Sequence, residues 1–166
     1  MILTLNKENI PELSQLAADN DDPKEEGYWD ICFTQQDEGL RVIFGWIENG
    51  QIIAYAHFNR APKYQPFASV RIPEIQDLRV DRAFRQRGIA TALIYTCEAL
   101  AIKEGFEMVG IGVGLSSDYG KAQRLYITLG YMPDGAGVNY DREICARGDR
   151  IILDDDLSLM MVKSLT

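Results

Sequence analysis

Apolar residues along this chain switch several times between a period of two and a period near 3.6, and the switches mark out alternating strands and helices. Residues 2–5 alternate and predict an edge strand. Ile10, Leu13, Leu16 and Ala17 share one helical face, with Asn9 to Glu12 spaced as a capping box and Pro11 in the first turn. Asp19-Asn-Asp-Asp-Pro23 ends that helix, and a second short one is expected through Trp29 and Phe33. Leu40 to Ile47 and Ile52 to Phe58 read as strands. Asn49-Gly50 between them signals a hairpin, because both residues tolerate the positive φ of a tight reverse turn. Residues 61–73 hold three prolines and predict a loop.

Glu74 to Val80 reads as a fourth strand whose apolar positions are out of phase. Ile75, Leu78 and Val80 cannot all face one side of a two-residue repeat, and a bulge near Gln76-Asp77 reconciles them. A short polar connection follows, and Arg85-Gln-Arg-Gly-Ile-Ala90 opens a long helix with Ile89, Leu93, Thr96, Cys97 and Leu100 on one side. Gly105 is its expected C-terminal cap. Phe106 to Val113 reads as a buried strand. Ala122, Leu125, Tyr126 and Leu129 line a helix ending at Gly130, and Tyr131 starts a further strand. The tail Ile151 to Val162 is hairpin-like around Asp154 to Asp156. No repeat, linker or low-complexity tract interrupts the chain, which predicts a single domain over residues 1–166. Strand–helix–strand–helix order in the second half implies a mixed sheet covered by helices, with a ligand at the strands' C-terminal ends.

The connection after the fourth strand carries the chemistry. A helix start presents unpaired N–H groups and a partial positive charge, so it suits a phosphate. Gly88 lets backbone approach an anion closely, Ala90 is small, and Arg82, Arg85 and Arg87 crowd the same turn. These residues predict a pyrophosphate cradle. A kinase-like or phosphatase-like nucleotide site would need a fuller glycine loop with G-K-[S/T], and none occurs.

The pattern Arg85-x-x-Gly88-x-Ala90 resembles the acyl-CoA signature of the GNAT N-acetyltransferase superfamily, with Glu74-Ile-Gln-Asp-Leu-Arg-Val80 before it. Ala122-Gln-Arg-Leu-Tyr-Ile-Thr-Leu-Gly-Tyr131 after it resembles that family's second motif. Ser117 to Ala122 with Gly130 to Gly135 looks like a bacterial general GNAT subgroup. The resemblance implies an α/β GNAT fold: a mixed, mostly antiparallel sheet of about seven strands, helices on both faces, and a splayed fourth/fifth strand pair opening a slot for pantetheine. It implies acetyl-CoA as cosubstrate, held by Leu78, Arg79, Val80, Arg85, Gln86, Arg87, Gly88, Ile89, Ala90, Thr91, Gln123 and Tyr126, with the backbone of Leu78 and Val80 on the pantetheine amides.

Acetyl transfer to an amine requires loss of a proton from the amine, a polarised carbonyl and an acid for the thiolate, but no covalent intermediate. By the same resemblance Tyr126 protonates or hydrogen-bonds the CoA sulfur and Glu74 accepts the amine proton, directly or through water, while Asp77, three residues on, is the second candidate base on the fourth strand. Each also has an ordinary structural reading: Tyr126 as an amphipathic helix-edge tyrosine, Asp77 as support for the bulge. Where the family often carries an asparagine on the pantetheine arm, this chain has Tyr119, with Asp118 or Gln123 as substitutes. His57 suits either a substrate cleft or a satisfied core or rim position. The acidic run 154–156 suits a solvated turn or a lure for cations, and Cys97 is structural. A non-catalytic acyl-CoA sensor would need neither Tyr126 nor an acid on the fourth strand.

Charge narrows the acceptor. Seventeen basic against twenty-five acidic residues give a net charge of −8, which repels nucleic acid and favours a cationic small-molecule amine. Three scattered cysteines without C-x-x-C spacing fit free thiols in a reducing cytoplasm, and a lone histidine speaks against a zinc site. No apolar run spans a membrane and no signal peptide is visible. A homodimer is one open assembly state.

Overall fold

Asn49 and Gly50 take φ of 52° and 78° and close the hairpin between β2 (Arg41–Glu48) and β3 (Gln51–Asn59), as the dipeptide predicts. The computed structural model describes residues 1–166, and its backbone divides into two compact units, Met1–Arg60 with Ile75–Leu100, and Ala61–Glu74 with Ala101–Thr166. No helix is long and apolar enough to cross a membrane.

In the first unit the strand order is β1-β2-β3-β4, with β1 at Ile2–Thr4 and β4 at Glu74–Val80. β1 and β2 pair antiparallel from Ile2↔Trp46 to Thr4↔Phe44, and β2 and β3 from Arg41↔Asn59 onward. β3 is buried from Ile52 to Phe58, on both alternating faces. Helices α1 (Ile10–Asp19) and α2 (Tyr28–Asp37) set Leu13, Leu16, Ala17, Trp29, Cys32 and Phe33 into one cluster with Leu5, Ile43, Ile52 and Tyr55. Pro11 stands in the first turn of α1, but the capping box lies earlier than the expected Asn9–Glu12. Asn6 and Asn9 cap one another around a 3-10 turn at Lys7–Asn9.

The phase slip in β4 has a local cause. Asp77 takes φ +49° in mid-strand, which turns the side chains on either side out of the two-residue alternation.

The second unit holds α3 (Gln65–Ala68), β5 (Met108–Gly114), α5 (Gly120–Thr128), β6 (Met132–Tyr140), β7 (Glu143–Ile144) and β8 (Leu157–Ser164), in strand order β5-β8-β6-β7. The tail is therefore not a hairpin around Asp154–Asp156. β8 lies between β5 and β6 and pairs antiparallel with both, from Met108↔Ser164 to Gly114↔Ser158 and from Met132↔Val162 to Tyr140↔Leu157. Its partners are remote in sequence, so the local apolar–acidic–apolar pattern gave a false signal. The hairpin is instead β6–β7, where Asp141 and Arg142 take φ of 47° and 72°.

The one-turn helix α3, inside the stretch expected as loop, places Phe67 over Gly110 of β5. A Cβ on Gly110 would lie 2.1 Å from the Phe67 ring. Gly110→Ala is expected to destabilise the protein by about 1–3 kcal/mol through this overlap. Urea unfolding would check it, and an unchanged midpoint would mean the ring can move aside.

Candidate functional site

The segment after β4 folds as a sequence of short, self-capped pieces. Asp81 accepts from the Ala83 amide at 2.8 Å and caps a 3-10 turn at Arg82–Phe84. Gln86 and Gly88 then take φ of 61° and 77°, so the long helix α4 (Ile89–Lys103) begins at Ile89 and not at Arg85. The first α-helical bond runs from the Ala92 amide to the Gly88 carbonyl at 3.0 Å. The amides of Ile89, Ala90 and Thr91 precede it and have no partner within the helix. Nothing lies within 4 Å of a Cβ built on Gly88, and residues 85–88 are exposed. An open glycine at the positive end of a fifteen-residue helix fits a phosphate group.

The arginines do not point freely at that space. Arg82 pairs with Asp21; Arg85 donates to the Val80 carbonyl at 3.0 Å and to Asn20 Oδ1 at 3.2 Å. Arg87 makes two bonds to Glu48, at 3.1 and 3.0 Å, and lies 5.5 Å from the Phe84 ring centroid. Arg79 donates to Asp22 at 2.6 Å. Lys24 bonds Asp22 at 2.7 Å and reaches Asp77 at 3.4 Å. The stretch Asn20–Lys24, read in the sequence only as a helix breaker, is thus tied side chain by side chain to residues 77–85. Pairings across more than fifty residues leave no local trace.

Asp77 and Leu78 to Val80 are half-buried on β4. His57 on β3 is fully buried and belongs to the core. Its Nδ1 lies 2.8 Å from Arg41 Nη1, and since a guanidinium only donates, Nδ1 accepts and the proton sits on Nε2. Burial first, then the Arg41 charge, holds its pKa well below the ordinary value, so the ring is neutral. Cys97 is likewise buried, which pushes its thiol up and leaves it unreactive. A pocket of about 210 Å³ in the same unit is lined by Ser14, Lys24, Glu25, Glu26, Trp29 and Asp30 among others.

In the second unit Tyr126 is buried on α5, its ring 6.2 Å from that of Tyr131. Tyr119, where the family's asparagine is expected, fills the space above Gly114, and its hydroxyl donates to Asp155 at 2.7 Å. Gln123 donates to the Gly114 carbonyl at 2.9 Å. The acidic run is a turn with local partners: Asp154 accepts from the Tyr140 hydroxyl at 2.8 Å and from the Asp156 amide at 3.0 Å. Glu74 is 1% exposed and ion-paired to Arg142. That arginine was missed from the sequence, since it stands 68 residues away and in no motif. No group of three or more His, Cys, Asp or Glu side chains is placed to hold a metal.

The sequence model of the acetyltransferase (GNAT) family matches residues 7–131. No curated protein sequence matches the chain. Among solved structures, the ribosomal-protein-S18-alanine N-acetyltransferase from Escherichia coli is similar with a TM-score of 0.73 at 17% identity, over 100% of this chain and 94% of that one. An N-acetyltransferase from Staphylococcus aureus Mu50 gives 0.72 at 19%, over 100% and 98%. An aminoglycoside 6'-N-acetyltransferase complexed with coenzyme A gives 0.69 at 15%, over 100% and 97%. Such likeness at low identity shows the fold: mixed α/β, with eight mostly antiparallel strands and helices around them.

Proposed function

The chain belongs to the acetyltransferase (GNAT) family, and on that premise we propose that it moves an acetyl group from acetyl-CoA to the primary amine of a cationic small molecule, by direct attack in a ternary complex. The open Gly88 at the start of α4 carries the cofactor half of this reading. The amides of Ile89, Ala90 and Thr91 hold the pyrophosphate, flanked by Arg85, Gln86 and Arg87. The backbone of Leu78 and Val80 orients the pantetheine arm, and Arg79 and Gln123 are the further candidate contacts. Bound acetyl-CoA supplies an electrophilic thioester carbonyl and a thiolate leaving group. Tyr126 keeps a phenolic proton for the sulfur, and Glu74 or Asp77 receives the proton that the amine gives up.

The acceptor class rests on charge. The net charge of −8 favours ammonium groups over anions near the protein, and Glu25, Glu26 and Asp30 stand together with Lys24 around the 210 Å³ pocket. Three free cysteines suit a reducing, cytoplasmic setting. The test is a panel of amines with acetyl-CoA, reading released thiol. Polyamines, aminoglycoside-like compounds and amino-acid derivatives are expected to lead, with a KM that rises severalfold as salt shortens the Debye length from about 30 Å at 0.01 M to about 8 Å at 0.15 M. Preference for neutral or anionic amines without salt dependence would exclude a cationic acceptor and leave the acetyl transfer standing. No thiol release with any amine would sink the transfer itself.

A further inference from the structure

Arg142 occupies a costly backbone position. The two-residue turn between β6 and β7 has positive φ at both Asp141 and Arg142, a geometry that ordinarily selects Asn-Gly or Asp-Gly. An arginine there carries strain on the order of 1–3 kcal/mol, and such strain persists only where the surroundings over-determine it. They do so here. Asn139, fully buried, accepts from the Arg142 amide at 3.2 Å and from Ser158 Oγ at 3.2 Å, while its own Nδ2 donates to the Ser158 carbonyl at 3.2 Å. The guanidinium Nη1 donates to Glu74 and lies 3.5 Å from Met160 Sδ.

A buried ion pair is a poor source of stability, because desolvation offsets most of the attraction. What this one does supply is a fixed orientation and a cationic partner for a carboxylate that lies almost fully buried. The pair is also lopsided: the Glu74 side chain is 1% exposed and the Arg142 side chain 32%.

We propose that Arg142 is a positioning residue for acyl transfer, holding the Glu74 carboxylate ionised and oriented to accept the amine's proton. This rests on the reading of Glu74 as the base. The groups that face Glu74 in the same unit include Arg142 and Tyr64. Arg142 comes from the β6–β7 turn. Tyr64, just before α3, donates to Asp134 at 2.7 Å, and burial and that carboxylate push its phenol up, so it stays neutral. Removing the Arg142 charge therefore raises the proton affinity of Glu74, and a base that must be ionised then fails at a higher pH.

The experiment compares pH profiles of kcat for wild type, Arg142→Met and Arg142→Lys on the best amine of the panel. The acid limb of Arg142→Met is expected to move up by about one pH unit or more, with a loss of roughly 10-fold or more below the limb and little above it. Arg142→Lys restores most of the shift. In parallel, carboxyl-labelled glutamate followed by NMR, with the Glu74 resonance assigned from Glu74→Gln, should show Glu74 titrating higher in Arg142→Met than in wild type. A loss uniform in pH, with an unmoved Glu74 titration, would make Arg142 merely structural and overturn the proposal. Unimpaired turnover in Glu74→Gln would remove the base and the proposal together, with acetyl transfer by the enzyme still standing.

Discussion

In a Gly88→Glu variant, CoA affinity is expected to fall by roughly 100-fold, measured by titration calorimetry on the folded protein. Two effects act together. At φ +77° an L-residue costs about 1–2 kcal/mol in backbone strain, which loosens the geometry that aims the amides of Ile89 to Thr91. The new carboxylate also stands at the positive end of α4, where it takes the place that a phosphate would otherwise fill and repels it. Steric damage to the protein is not a third effect, because a Cβ at this position meets no atom within 4 Å. Gly88→Ala carries the strain without the charge, so it separates the two and should bind CoA far better than the glutamate. An unchanged affinity in Gly88→Glu would mean that the phosphates sit elsewhere.

Tyr126→Phe is expected to lower kcat by about 100-fold while leaving the CoA dissociation constant within a few-fold of wild type. The substitution keeps the ring, which is buried on α5 beside Tyr131, and removes only the hydroxyl proposed to protonate the leaving sulfur. Packing should survive, so thermal stability serves as the control. Steady-state kinetics with saturating acetyl-CoA would decide. Full turnover would remove Tyr126 from proton transfer and return it to an ordinary core tyrosine.

What could be read in advance from the chain was what is encoded locally. Asn49-Gly50 specifies its own turn, the phase slip of Ile75, Leu78 and Val80 reports the left-handed Asp77 between them, and Gly88 marks the entrance of α4. What was hidden depends on partners far apart. β8 pairs with strands whose segments lie tens of residues upstream, so its neighbours could not be inferred from the apolar–acidic–apolar tail. Asp141-Arg142 closes a hairpin without the glycine that signals one, because Asn139 and Ser158 hold it from outside the turn. The same holds at the site. Arg82, Arg85 and Arg87 were visible, but the side chains they bond, Asp21, Asn20 and Glu48, were not. The stretch that hides α3 shows the opposite case: Pro62, Pro66 and Pro73 are breakers in a helix interior, yet Pro66 in the first turn of a four-residue helix costs nothing.

The tie between Asn20–Lys24 and residues 77–85 bears on how an anion would be recognised. Each arginine of the turn already has its counterion or carbonyl, and the loop that supplies them is fixed in return. The turn is thus preorganised, and a ligand arriving there need not freeze a mobile segment, a step that commonly subtracts from affinity. With Arg82 and Arg87 paired to carboxylates and Arg85 bonded to neutral oxygens, selectivity falls largely to fixed amide dipoles. Those discriminate by the placement of oxygen atoms, so a polyanion of the wrong shape gains little from its charge alone.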